Sequence, residues 1–161
     1  MKKNSEEYGL IDLIQRGGIC QDIPGTNPSE VLTNTIQTIT LPPSITREDL
    51  LKAVLEREAL MSTAVGNGIA LPHPRNPLIT SPQEQFVSIC FLQQAVDWKA
   101  LDGTPVHTLL LIVSASAKAH LHTLSRITFF CQQESFRHHL HSHASLEQMS
   151  ALIQAIEQTW Q

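Results

Sequence analysis

A chain of 161 residues has the length of one ordinary domain, and 42% apolar residues exclude a disordered polymer. The net charge of −4, from 11 basic and 15 acidic residues without a sustained basic stretch, excludes an electrostatic footprint for nucleic acid or an anionic membrane. Charged residues are scarce at 16%, yet there are eight histidines, the side chain that titrates near neutrality.

Residues 1–18 read as a short N-terminal arm ending at Gly17-Gly18, with the domain proper over 19–161. The start is polar, and the run Gly9–Ile14 is short and interrupted by Asp12, which does not describe a signal peptide. The longest apolar run, Leu109–Val113, cannot cross about 30 Å of hydrocarbon. Cys20, Cys90 and Cys131 are far apart and form no CxxC pair, so a disulfide framework is not expected. Together these features predict a reduced, cytoplasmic protein without membrane insertion.

Ile19 to Asn27 suggests a short strand and turn. Asn27-Pro28 then opens a helix, with Asn as cap, Pro in the first turn, and Val31, Leu32, Ile36 and Ile39 on one side. Leu41-Pro42-Pro43-Ser44 ends it. A second helix starts at Thr46, with Asp49 as a capping-box variant and Leu50, Leu51, Val54 and Leu55 as its stripe, and runs to about Leu60. Residues 62–75 are a loop punctuated by glycine and proline around one short apolar strand.

Phe86–Leu92 and Val106–Val113 are nearly continuous apolar runs, as in strands buried on both faces, with an Asp102-Gly103 turn between them. A long helix is predicted over Ala117–Gln133. The last helix spans Ser145–Trp160, opened by a Ser145/Gln148 capping box and buried along Leu146, Met149, Leu152, Ile153 and Ile156. Between them, Arg137-His138-His139-Leu140-His141-Ser142-His143 reads as a solvated connection. Buried strands alternating with amphipathic helices predict a single three-layer α/β domain, a mixed central sheet flanked by helices.

The sequence holds no GxxxxGK[ST], no GxGxxG after a strand, no GxSxG and no HExxH. Its unusual element is Gly66-Asn67-Gly68-Ile69-Ala70-Leu71-Pro72-His73-Pro74-Arg75. His73 lies between two prolines, which fix the chain on either side and hold the imidazole on a stiff, extended segment. Neutral imidazole is a nucleophile at pH 7, so a rigidly displayed one suits reversible phosphoryl transfer; a histidine that only caps a backbone carbonyl is the plainer alternative. A phosphohistidine needs positive or hydrogen-bonding company. Arg57, near the end of the second helix, can hold phosphate bidentately. His120, in the first turns of the long helix, sits where a helix favours anions. For each, taken alone, a structural role is the commoner case: a solvated helix-surface charge for Arg57 and a partly buried, backbone-satisfied imidazole for His120.

The segment Arg57-Glu58-x-x-x-Ser62-Thr63-x-x-Gly66-x-Gly68-Ile69-Ala70-Leu71-Pro72-His73 resembles the active-site signature of phosphotransferase-system (PTS) IIA domains of the fructose–mannitol class. It is most similar to the nitrogen-regulatory branch. Leu101-Asp102-Gly103-x-Pro105-Val106 and His120-Leu121-x-x-Leu124 fall where that family has an Asp-Gly turn and a second histidine, and the likeness spans roughly residues 28–158. The resemblance implies a mixed sheet covered by helices and a phosphocarrier without a cofactor. His73 would take phosphate through Nε2 from the phosphohistidine of an HPr-like carrier, with His120 and Arg57 as site residues. Downstream, the phosphate would pass to a IIB domain in sugar transport, or the phosphorylation state would govern binding to a regulatory target. The chain departs from the pattern at Pro74, where many members have glycine, at the extra His122, and in the long N-terminal arm. A histidine-rich metal-binding protein, suggested by the His138–His143 tract, is the alternative of a different class.

Overall fold

The computed structural model describes residues 8–160. Six helices surround a five-stranded sheet. In chain order the elements are α1 (Leu10–Gly17), β1 (Ile19–Ile23), α2 (Pro28–Thr38), α3 (Arg47–Leu60), β2 (Ala64–Gly66), β3 (Ile69–Ala70), β4 (Phe86–Val96), β5 (Val106–Val113), α4 (Ala117–Cys131), α5 (Glu134–His141) and α6 (Leu146–Glu157). Short 3₁₀ turns precede β4 and follow α6. The sheet order is β1-β4-β5-β3-β2. β1/β4 and β3/β5 run parallel, β4/β5 and β2/β3 antiparallel. This is the mixed α/β sheet expected from the sequence.

The continuous apolar runs of β4 and β5 conceal an alternation between two cores. Phe86, Cys90, Leu92, Leu109, Leu111 and Val113 face the layer of α2 and α3. Val87, Ile89, Phe91, Leu110 and Ile112 face the layer of α1, α4, α5 and α6. A strand covered on both sides has no face left for polar residues, which is why period-two patterning vanishes from its sequence.

The helix starts follow their capping chemistry. Asn27 Oδ1 accepts from the Glu30 N–H at 2.9 Å, and Thr46 Oγ1 from the Asp49 N–H at 3.1 Å. Ser145 and Gln148 bond reciprocally as a capping box. Each bond satisfies an N–H that the helix itself leaves unpaired.

Four local expectations are corrected. Within the segment read as an arm, residues 10–17 are α1; Met1–Glu7 lie outside the described residues. Leu10, Leu13 and Ile14 are buried in the second core, and the Ser88 hydroxyl donates to the Gly17 carbonyl at 2.9 Å. Asp12, which interrupted the apolar run, lies with Gln15 on the exposed side of this helix. The loop 62–75 contains two short strands rather than one, folded as a hairpin through Gly66, Asn67 and Gly68, all with positive φ. β4 extends four residues beyond Leu92, to Val96, with Gln93, Gln94 and Ala95 exposed at its end. The histidine tract is not a loop: α5 buries Phe136 and Leu140, one turn apart, and turns His138 to solvent.

Candidate functional site

His73 lies three residues beyond the end of β3, after Leu71 and Pro72. Pro72 is locked to the sheet by its carbonyl, which accepts from the Ile112 N–H of β5 at 3.0 Å. His73 is thus displayed beside the C-terminal end of β5, and the chain after β5 turns into α4. Ser116 caps that helix by accepting from the Ala119 N–H at 3.1 Å, and His120 lies on its first turn. The two imidazoles meet there, ring centroids 4.5 Å apart and planes inclined at 40°.

His73 Nδ1 lies 2.8 Å from the Leu71 carbonyl oxygen. A carbonyl oxygen only accepts, so the proton of the neutral ring belongs on Nδ1 and the lone pair on Nε2. Burial lowers the basicity of His73, the Leu71 bond opposes that, and the charge of Arg57 lowers it further. The ring is therefore held neutral, with a defined nucleophilic nitrogen. His120 is pushed down more strongly, to about 4, first by burial and then by His73 and Arg57. It too is uncharged at neutral pH, a neutral imidazole packed against His73.

Arg57 reaches past the end of α3, where Nη1 donates to the Met61 carbonyl at 2.7 Å. That bond satisfies a carbonyl at the helix terminus and fixes the direction of the guanidinium. Its charge lowers the basicity of both histidines. The structure thus brings together the three residues picked from sequence: Arg57, His73 and His120.

Glu58 was legible only as the neighbour of Arg57 in the motif. Its carboxylate accepts from the Thr63 N–H at 2.9 Å, the Thr63 hydroxyl at 2.6 Å and the indole N–H of buried Trp98 at 2.7 Å. Ser62 donates to the Trp98 carbonyl at 2.5 Å. These bonds tie the end of α3 and the start of β2 to the segment after β4. Thr63 in turn accepts, through its carbonyl, from the Leu71 N–H at 3.0 Å, two residues before His73. The Leu71 carbonyl itself, which sets the tautomer of His73, has no sequence signal, because any residue supplies one.

The Asp-Gly turn does structural work. Asp102 accepts from the Asn67 N–H at 2.9 Å and the Thr104 N–H at 3.0 Å, which holds its carboxyl below the usual carboxylate range. It clamps the hairpin turn, where a Cβ on Gly68 would stand 2.3 Å from the His107 ring. His107 packs edge-on against His141 at 5.3 Å, and His143 stacks on Phe91 at 4.4 Å. His122 does not join the His73–His120 pair; its Nε2 is buried without a partner. Among the described residues no group of three or more His, Cys, Asp or Glu is disposed to hold a metal ion. A cavity of about 280 Å³ opens beside His120, lined by Pro74, Arg75, Ile112, Ser114, Ser116 and Leu121 among others.

The family described as "Phosphoenolpyruvate-dependent sugar phosphotransferase system, EIIA 2" matches residues 13–156. The chain belongs to this family. A nitrogen regulatory protein of Pseudomonas aeruginosa is 29% identical over 147 residues, 89% of this chain and 94% of that protein. The fructose-specific EIIABC component of Bacillus subtilis is 32% identical over 114 residues, covering 70% of this chain but 17% of that longer protein. Among solved structures, the nitrogen regulatory protein IIA-Ntr of Neisseria meningitidis shares the fold with a TM-score of 0.72 at 23% identity, over 89% of this chain and 94% of its own. This PTS IIA domain is a phosphotransfer domain, of the kind that passes phosphate between HPr-like carriers and IIB domains. The match begins inside α1, in keeping with that helix being part of the packed body. Among the described residues no helix is long and apolar enough to cross a membrane.

Proposed function

We propose that His73 is the phosphoryl carrier of this IIA domain and that its phosphorylation serves chiefly as a regulatory signal in the cytoplasm. The observation that carries the first part is the Nδ1–H···O=C bond from His73 to Leu71, which leaves Nε2 free to attack. The phosphohistidine of an HPr-like protein is the donor. Its P–N bond breaks as a P–N bond forms at Nε2 of His73. The Nδ1 proton stays where it is, so the ring becomes a phosphoimidazolium braced by the Leu71 carbonyl. Arg57 neutralises charge on the transferring oxygens, and neutral His120 donates to one of them.

Partner docking is favoured by exposed apolar side chains on the same elements. Leu60 and Met61 end α3, and Leu121 follows His120. Uncovered apolar groups near a group-transfer centre suit short-lived contacts with successive partners. The regulatory branch is preferred because the run Ser62-Thr63…Gly66-Asn67-Gly68-Ile69-Ala70 resembles that branch and a nitrogen regulatory protein matches this chain over 147 residues.

The test is incubation with phosphoenolpyruvate, enzyme I and HPr, followed by intact mass. One acid-labile phosphoryl group is expected, absent from His73→Ala; an unmodified protein with a competent donor overturns the reading. Addition of a purified IIB domain separates the roles. Rapid discharge to IIB favours transport, and a stable phosphoprotein favours regulation.

A further inference from the structure

The three cysteines take no part in the site described above, yet two of them meet. Cys20 on β1 and Cys90 on β4 are register partners across a parallel strand pair. Both pack in the same core, on the α2–α3 face of the sheet. Directly paired residues on neighbouring strands lie about 5 Å apart, inside the Cα separation a disulfide spans. As register partners on one face of the sheet, the two thiols are neighbours. Cys90 is fully buried, whereas Cys20 lies on the edge strand and is partly accessible. Cys131 is buried in the other core, on the far side of the sheet.

The backbone beside Cys20 has room to adjust. The β1/β4 register breaks between Cys20 and Ile23, where Asp22 takes a positive φ of 54°. One side of Cys20 is therefore anchored by pairing, while the other is not held rigidly in the ladder.

We infer that Cys20 and Cys90 form a reactive dithiol that peroxide converts to an intramolecular disulfide, Cys20 being oxidised first and Cys90 resolving it. The roles follow from position. Cys20 is the thiol that peroxide reaches, and Cys90 is its buried register partner. The Cys90 thiol beside Cys20 favours the thiolate there and lowers its pKa to about 7, while Cys20 and burial together push Cys90 up. The Cys20 thiolate attacks a peroxide oxygen: an S–O bond forms, the O–O bond breaks, and hydroxide leaves and takes up the thiol's proton as water. Cys20 is then a sulfenic acid, oxidised by two electrons. The Cys90 sulfur attacks the Cys20 sulfur, the S–S bond forms, and the S–O bond breaks with loss of a second water carrying the Cys90 proton. Two thiols and one peroxide give one disulfide and two waters.

The experiment uses the full chain and hydrogen peroxide. After treatment the protein is denatured, its free thiols are alkylated without reductant, and it is digested for mass spectrometry. The expected product has lost two hydrogens, gives one linked peptide pair joining Cys20 to Cys90, keeps Cys131 alkylatable, and reverts with dithiothreitol. Cys90→Ser should leave Cys20 as a sulfenic acid trapped by dimedone; should that variant fail to fold, Cys90→Ala replaces it, and the wild-type result stands without either. The inference is overturned if Cys20 and Cys90 both remain separately alkylatable, if Cys20 links to a second chain, or if Cys20 proceeds to sulfinic acid while Cys90 stays a thiol. None of these readouts depends on phosphorylation at His73.

Discussion

His73 and His120 face each other with ring centroids 4.5 Å apart, one on the segment after β3 and the other on the first turn of α4. Both are half-buried, and each lowers its tendency to take up a proton in the company of Arg57. Three groups that would repel one another as cations are gathered in one place. Two of them therefore stay neutral, which is the arrangement a site needs if negative charge is to arrive later.

Phosphorylation should reverse that balance at His120. With His73 unmodified, burial and neighbouring positive charge hold His120 at about 4. A phosphoryl group on His73 places negative charge beside it, and an anion favours the protonated imidazole. The His120 titration, followed by imidazole NMR on the free and phosphorylated protein, should move upward by about one unit or more. An unchanged midpoint would remove His120 from contact with the phosphoryl group.

The same two histidines set a pH dependence of stability. Their folded values lie below the ordinary 6.5, that of His120 at about 4. Between these limits the unfolded chain binds more protons than the folded one, so stability rises with pH. The contribution is fully present above 6.5 and is lost as pH falls toward 4. Thermal midpoints measured across this window should fall with acidity, and His120→Asn should flatten the slope. An equal slope in the variant would locate the acid sensitivity elsewhere.

Much of the site was visible in the sequence because its chemistry depends on residue type. Two prolines stiffen the approach to His73, and arginine and histidine carry donors that suit phosphate, so Arg57, His73 and His120 stood out as candidates once the motif resemblance was added. What escaped were roles set by tertiary context. Glu58 matters because Trp98, forty residues on, aims its indole N–H at it. α1 and α5 are short helices of eight residues, too brief for a clear period. In α5 only Phe136 and Leu140 mark the buried side amid six polar or titratable neighbours, so composition concealed the helix. The two-sided burial of β4 and β5, by contrast, was written in their unbroken apolar runs.

The seating of α1 on the sheet makes Gly17 a sensitive position. A Cβ there would lie 2.0 Å from the Val87 carbonyl oxygen and 2.7 Å from the Ser88 nitrogen, both backbone atoms of the sheet's second strand. Neither can rotate away. Gly17→Ala should cost about 3 kcal/mol, at the upper end of ordinary overpacking, read from denaturant midpoints at constant m-value. Loss of a few tenths only, as expected for an exposed arm, would contradict the packing of α1 against β4.

Glu58→Ala tests whether the scaffold behind the histidines is needed for transfer. The substitution removes three hydrogen bonds to one carboxylate and leaves the Trp98 indole N–H and the Thr63 N–H without that acceptor. Trp98 is 2% exposed, so water cannot readily replace the carboxylate there. A loss of about 3 kcal/mol in stability is expected. Thr63 also holds the Leu71 N–H, so the change should reach the segment that orients His73. At a temperature where the variant is still folded, phosphoryl uptake from phospho-HPr should be slower than in the parent protein, with the final extent of modification unchanged. Slower uptake at full extent distinguishes a positioning residue from a lost acceptor. Uptake at the parental rate in a destabilised protein would confine Glu58 to holding α3, β2 and the Trp98 segment together.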